Sequence, residues 1–270
     1  MEEALAQTES KEAREPGQRE QPPRRSLSGV LIAAGLFLLA KFKFVFGLLK
    51  VLPAGKFLVT SLSMLAMIAF ESQRSGWLFG VGFVVLILLH ELGHGYAMRQ
   101  AGVEAGWPIF IPFFGAMIAM KGAPRDRSVE AHIAYGGPLA GAAASLVAAG
   151  LGLVLHSSLL VALAYTGFFL NLFNLTPMSP LDGGRIAQAF SRRAWIVGLV
   201  ILGAMLIFTQ AIQLLLIAAM GLPNLFRKDA DAERDALAPE LQRDWAIRYF
   251  GLCAFLAAGI FFSGRMLGRV

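Results

Sequence analysis

The chain is short of what a soluble domain of its size requires. Only 16% of its 270 residues are charged, while 56% are hydrophobic, and the mean hydropathy is +0.62. A soluble fold of this length needs more polar surface to stay in water. Cysteine is nearly absent: Cys253 stands alone in an apolar run, so there is no internal disulfide and the fold does not depend on an oxidising compartment. A small packing role suits it. No cleavable signal peptide is expected, because the first apolar run starts late and lacks a clear small-residue cleavage site. Internal repeats, a PDZ-like insert and a nucleotide-binding motif are also missing. The formal charge of +6 raises nucleic acid as a partner. However, the basic residues sit in short loops beside apolar runs, the pattern that orients a membrane protein, and no aromatic-interleaved basic patch exists. Nucleic acid is therefore excluded as a partner.

What is present is a series of apolar runs, several near the ~20 residues that cross a bilayer as a helix. Four regions follow. Residues 1–27, rich in Glu, Gln, Arg and Pro, read as a disordered polar tail. Residues 28–76 hold a run (29–49) carrying Lys41 and Lys43, which either spans with snorkelling lysines or lies in the interface, and a short run (57–70) ended by Glu71, Gln73 and Arg74. Residues 77–190 form a membrane core with spans at 77–98, 131–155 and 159–175. Residues 191–270 add a long run from Ala194 to Met220, interrupted near Gln210 and Gln213, a charged loop at 227–244, and a last span from Trp245 to about Ser263. The expected fold is an all-α polytopic membrane protein of about six or seven membrane helices.

One apolar segment is unlike a helix. Pro108, Pro112 and Gly115 interrupt residues 107–120, and Ile and Phe dominate there, which favours extended backbone. Extended backbone cannot face lipid unpaired, so the segment is either a shielded re-entrant hairpin or a buried loop. The small residues Gly136, Gly137, Gly141 and Ala142 to Ala144 predict close helix approach. Arg99, Lys121, Arg125 and Arg127 precede a two-span hairpin, and Arg185, Arg192 and Arg193 follow it. Both basic clusters fall on one side, which the charge rule makes cytoplasmic. The 227–244 loop faces the other side if residues 194–220 cross once.

The informative string is His90-Glu91-Leu92-Gly93-His94. Residues four apart share a helix face, so both imidazoles can reach one ion. Neutral imidazole is a preferred zinc ligand, and Glu91 is placed to accept a proton from water on the ion. A helix otherwise reading FVVLILL has no packing reason to hold two histidines and a glutamate, and ionisable groups inside a bilayer are functional by default. Catalytic zinc needs a third protein ligand and an open position. Asp182 fits best, in NLFNLTPMSPLDGGR: Pro177 and Pro180 stop the helix, and the glycines after Asp182 allow an irregular backbone at the depth of the end of the HELGH helix.

HELGH on one membrane helix and NLTPMSPLDGGR after a later one together resemble the site-2 protease family of intramembrane zinc metalloproteases, in its compact bacterial branch without a PDZ domain. The similarity covers roughly residues 77–190, including FIPFFGAMI and EAHIAYGGPLAG. It implies one zinc ion on His90, His94 and Asp182, with Glu91 as general base, and a role for Asn174 in holding substrate or stabilising the intermediate. It further implies a multi-pass protein of a bacterial cell membrane, with the site towards the cytoplasm, that cleaves single-pass membrane proteins unwound along the 107–120 strand edge. Asn171 takes either the same substrate-side role or one as polar glue between helices. His132 is either a hydrogen-bonded core residue or a group supporting the metal ligands. Other readings of the same residues are an ion transporter or channel using the His/Asp cluster, a non-cleaving relative that binds membrane proteins, and a peptidase of soluble peptides.

Overall fold

A computed structural model describes residues 55–112, 115–191, 193–225 and 237–268. The polar tail and the lysine-bearing run at 29–49 lie outside the described residues. In chain order the elements are α1 (Gly55–Ser75), α2 (Trp77–Gln100), β1 (Glu104–Ile111), β2 (Gly115–Lys121), α3 (Arg127–Val154), α4 (Ser158–Asn174), α5 (Asp182–Ala187), α6 (Ala194–Thr209), α7 (Ile212–Leu225) and α8 (Pro239–Leu267). Among the described residues α1, α2, α3 and α8 are long and apolar enough to cross a bilayer, and α4 and α6 are shorter apolar helices.

The helix boundaries follow from local chemistry. The single-residue turn between α1 and α2 is Gly76 at φ 85°, a conformation that favours glycine. Asp126 caps α3 by accepting the Val129 N–H at 2.9 Å, and Ser157 caps α4 by accepting the Leu160 N–H, each satisfying an orphan donor of a first turn. Pro239 opens α8 at a position where its missing N–H costs nothing. That helix begins before Trp245, so the charged stretch expected to be loop up to Asp244 is helical from Pro239.

The small residues of α3 let α2 and α4 approach. A methyl group added at Gly136 would meet Gly93 and Ala97 of α2, and one at Gly141 would strike the side chain of Asn171. α3 and α4 run antiparallel, with Gly152 against Val161 at the far end. α8 returns along α4: the Tyr249 hydroxyl donates to the Leu175 carbonyl at 2.5 Å, and Gly259 packs on Phe168. Ala134, Ala164, Phe168, Leu175, Ile186, Trp245 and Leu256 share the central core.

The run from Ala194 does not continue straight. Gln210 adopts a left-handed conformation (φ 51°, ψ 24°), and α6 and α7 fold back on each other. Gly198 near the start of α6 and Gly221 near the end of α7 both lie against residues 177–179, while Leu202 and Leu214 are buried together with Met178. The expected long span is thus a helical hairpin whose two ends sit at the same level. The position of the break matches the expected interruption near Gln210; the expectation of a single crossing does not hold.

Residues 104–121 form an antiparallel hairpin, with Glu104 opposite Lys121 and Ile111 opposite Gly115, and an irregularity between Ala105 and Pro108. An ion pair of Lys121 with Glu104 ties its ends and holds the Glu104 carboxyl below its usual range. The outer edge of β1 is covered by α1. Thr60 Oγ1 donates to the Pro108 carbonyl at 2.7 Å, and the Phe110 N–H donates to Ser63 Oγ at 3.1 Å. Covering one edge in this way leaves β2 as the strand whose edge faces the helices.

Candidate metal centre

α2 carries His90, Glu91 and His94, all buried. Their ring nitrogens and carboxylate lie within 4.8 Å of one another. Asp182, the first residue of α5, reaches the same point: its Oδ2 is 3.2 Å from His90 Nε2 and 3.2 Å from His94 Nε2. The two Nε2 atoms are 3.1 Å apart. Residues nearly a hundred positions apart therefore converge on one triangle of three atoms. They do so because the chain between them is the α3–α4 hairpin, which brings residue 175 back to the level of the end of α2.

The other ring nitrogens decide what this triangle can hold. His94 Nδ1 lies 2.8 Å from the Ile133 carbonyl, which can only accept, so Nδ1 carries the proton and Nε2 presents a lone pair. His90 Nδ1 lies 2.8 Å from Asn171 Oδ1. The Asn171 amide nitrogen donates to the Gly167 carbonyl at 2.7 Å, which fixes the amide with its oxygen toward His90 and gives His90 the same tautomer. Two imidazole lone pairs and a carboxylate oxygen thus point at one another across about 3 Å. Three acceptors so placed repel unless a cation lies among them. Tetrahedral ligands at about 2.0–2.1 Å from an ion stand about 3.3–3.4 Å apart, close to the separations found. The residues present fit a zinc ion with three protein ligands and one open position.

Supports surround this triangle. A methyl group added at Gly137 would collide with the His94 ring, so glycine there is what lets α3 seat the imidazole. Glu130 binds Arg127 (2.6 Å) and Arg185 (3.4 Å), joining the start of α3 to the helix that begins with Asp182. One arginine of each basic cluster meets the same glutamate, which places both clusters on one side of the helices. The Trp195 indole N–H donates to the Gly184 carbonyl at 3.0 Å, a second restraint on α5.

The Glu91 carboxylate lies beside the backbone N–H of Ile118 in β2, and Ile118 also packs near Gly95. A cavity of about 350 Å³ opens beside them, lined by His90, Glu91, Gly115, Ala116, Asn171 and Asn174 among others. Asn174 lies one turn beyond Asn171 on the same wall. His132 is not part of this assembly: it is half-buried, and its Nε2 pairs with Gln100 Oε1 at 3.1 Å. The structure brings together the four residues singled out in the sequence, His90, Glu91, His94 and Asp182. In the sequence Gly137 is a small packing residue and Asn171 a polar group in an apolar run; that Gly137 seats the His94 ring, that Asn171 accepts from His90 Nδ1 and that Ile133 accepts from His94 Nδ1 is visible only in the structure.

Residues 78–157 match the model of peptidase family M50, a span that holds both histidines and Glu91 and stops short of Asp182. The chain is 32% identical over 126 residues to the putative zinc metalloprotease Rip3 of Mycobacterium tuberculosis, covering 42% of this chain and 32% of that protein. It is 29% identical over 136 residues to zinc metalloprotease MJ0392 of Methanocaldococcus jannaschii, covering 47% and 39%. It is also 30% identical over 161 residues to the probable zinc metalloprotease EGY1 of Arabidopsis thaliana, covering 42% and 29%. The matches thus span about a third of the length of these relatives. A solved site-2 protease from Methanocaldococcus jannaschii aligns with a TM-score of 0.39 at 24% identity, covering 65% of this chain and 88% of that one.

Proposed function

We infer that this chain is a zinc-dependent endopeptidase that cuts membrane proteins in or beside their membrane segments. The observation that carries the reading is the convergence of two imidazole lone pairs and the Asp182 carboxylate beside a buried glutamate. In this reading His90, His94 and Asp182 hold one zinc ion and Glu91 is the general base. Zinc bound there would polarise the scissile carbonyl and bring a water's pKa towards ~7.

The chain's own groups do the rest. Glu91 takes a proton from the attacking water and passes it to the leaving amine. Asn174, on the cavity wall, donates to the oxygen that gains charge, while Asn171 holds the His90 ring in its ligating tautomer. A helical substrate presents carbonyls already bonded within the helix, so it must unwind before attack. The edge of β2 offers replacement partners, and the Ile118–Glu91 contact sets the strand beside the base. Covering of β1 by α1 directs an incoming strand to β2.

The basic side chains Arg99, Lys121, Arg125, Arg127 and Arg185 gather at the end of the helices nearest the metal centre, which supports an active site toward the cytoplasmic side of the membrane. A single-pass protein is the proposed substrate class, because its one helix, once unwound, supplies an extended segment to the cavity beside Glu91. An ion-pathway role for the same cluster is less well supported, because the acceptors are locked from behind by Ile133 and Asn171 in a fixed triangle.

The test is to purify wild type and Glu91→Gln, measure bound metal, and co-express each with candidate single-pass proteins. About one zinc per chain is expected in both, from one three-ligand site, with a cleaved product from wild type only. Equal cleavage by the variant removes Glu91 from the reaction, and metal flux without cleavage returns the ion-pathway reading.

A further inference from the structure

The cavity beside Glu91 does not end at the metal centre. It extends past Ile87, Phe83 and Met67 to Glu71 on α1. Gly80 of α2 packs against Ile68 and Ser72 of α1, so Glu71 stands level with about residue 80. His90 is about ten residues further along α2, or ~15 Å at 1.5 Å per residue. Besides His90 and Glu91, Glu71 is the ionisable side chain of this lining among the described residues.

Its situation differs from that of the other buried acids. Asp182 has both histidines, and Glu91 has the N–H of Ile118. Glu71 is half-buried among methionine, leucine and phenylalanine side chains. Among the described residues it has neither an ion pair nor a hydrogen bond, and Arg74, one turn on, does not reach it. A half-buried carboxylate without a partner, at the end of an apolar cavity, offers its charge to a cation that enters there.

We propose that Glu71 is a specificity subsite for a lysine or arginine side chain of the substrate. The proposal rests on the proteolytic reading and adds what that site selects. β2 supplies the scale: Ile118 is level with Glu91, and Gly115 and Ala116 line the cavity on the way to Glu71. An extended substrate rising about 3.3 Å per residue covers the ~15 Å in four or five residues. The basic residue therefore sits four or five positions from the scissile bond, on the side toward Gly76. Its aliphatic stem passes Met67 and Phe83 while its cationic head meets the carboxylate.

The test uses full-length protein and a single-pass substrate whose cleavage depends on Glu91. Lys, Leu or Glu is placed singly at positions three to seven from the cut, on each side, and kcat/KM is measured for wild type, Glu71→Gln and Glu71→Lys. Wild type is expected to favour Lys over Leu by ~10-fold at one position on one side, the size of a single well-placed charge contact. Glu71→Gln flattens that preference with bound zinc unchanged, and Glu71→Lys turns it toward Glu. A wild type indifferent to Lys throughout the scan, or a Lys preference that survives Glu71→Gln, overturns the subsite. Absence of any Glu91-dependent cleavage instead overturns the parent reading.

Discussion

Asn171 offers the sharpest test of the metal centre, because it touches a histidine and not the ion. Its Oδ1 accepts from His90 Nδ1 at 2.8 Å, and its side chain is buried at 4% exposure. Asn171→Leu keeps the shape while removing the acceptor. The His90 N–H is then buried without a partner, and the ring is free to turn or to move its proton to Nε2, where it would abolish the ligating lone pair. Loss of such an orienting partner typically weakens metal binding 10- to 100-fold, which corresponds to about 1.4–2.7 kcal/mol. Asn171→Asp keeps an acceptor for His90 and gives it charge, a bond roughly twice as strong, but it turns the donor to the Gly167 carbonyl into a second acceptor, which offsets part of the gain. Zinc affinity is to be measured on the metal-free protein in detergent by competition with a chelator at fixed pH, with the thermal midpoint of the metal-free form as a check on folding. The expected order is wild type, then Asp, then Leu, with Leu 10- to 100-fold weaker than wild type. If Leu binds zinc like wild type, or binds it as well as Asp does, the assigned tautomer of His90 is wrong.

Other expectations follow from the same geometry. Asp182→Ala should lose most bound zinc in direct metal analysis, since two imidazoles alone leave the triangle open. Gly137→Ala drives a methyl group into the His94 ring and should cost about 1–3 kcal/mol of overpacking, read as a lower thermal midpoint together with weaker zinc binding. Glu130→Gln removes the charge shared by Arg127 and Arg185; zinc affinity should fall by ~10-fold as α5 loosens, with Glu130→Asp intermediate. Thr60→Val with Ser63→Ala uncouples β1 from α1. Zinc content should be unchanged while KM for a membrane substrate rises and cleavage spreads to neighbouring bonds, as mapped by mass spectrometry.

Some of this architecture is legible along the chain because its causes are local. The i, i+4 histidines need only the helix repeat to share a face. The two prolines and Gly115 rule out a helix at 107–120 whatever surrounds them, and the hairpin found there obeys them. Asp182 could be paired with the histidines because the stop at Pro177 fixed its depth. The turn-back at Gln210 was harder to read. Apolar side chains continue on both sides of it, and a helix bathed in lipid needs no periodic polar face, so composition alone does not show direction. Covering of the β1 edge by Thr60 and Ser63, and the meeting of Glu130 with Arg185, depend on contacts between residues about fifty positions apart, which no local pattern announces. The start of α8 lies before the expected boundary at Trp245, because charge alone does not mark a loop: Pro239 and the acidic first turn behind it make an ordinary helix beginning.

The reversal at Gln210 also settles where attached tags should report. With Gly198 and Gly221 resting on the same loop, the stretch from Ala194 to Leu225 enters and leaves by one door. A reporter inserted between Leu225 and Pro239 is therefore expected to share its compartment with Arg185, while one appended after Gly268, a full helix beyond, should report from the opposite compartment. A straight passage through 194–225 would exchange both readouts.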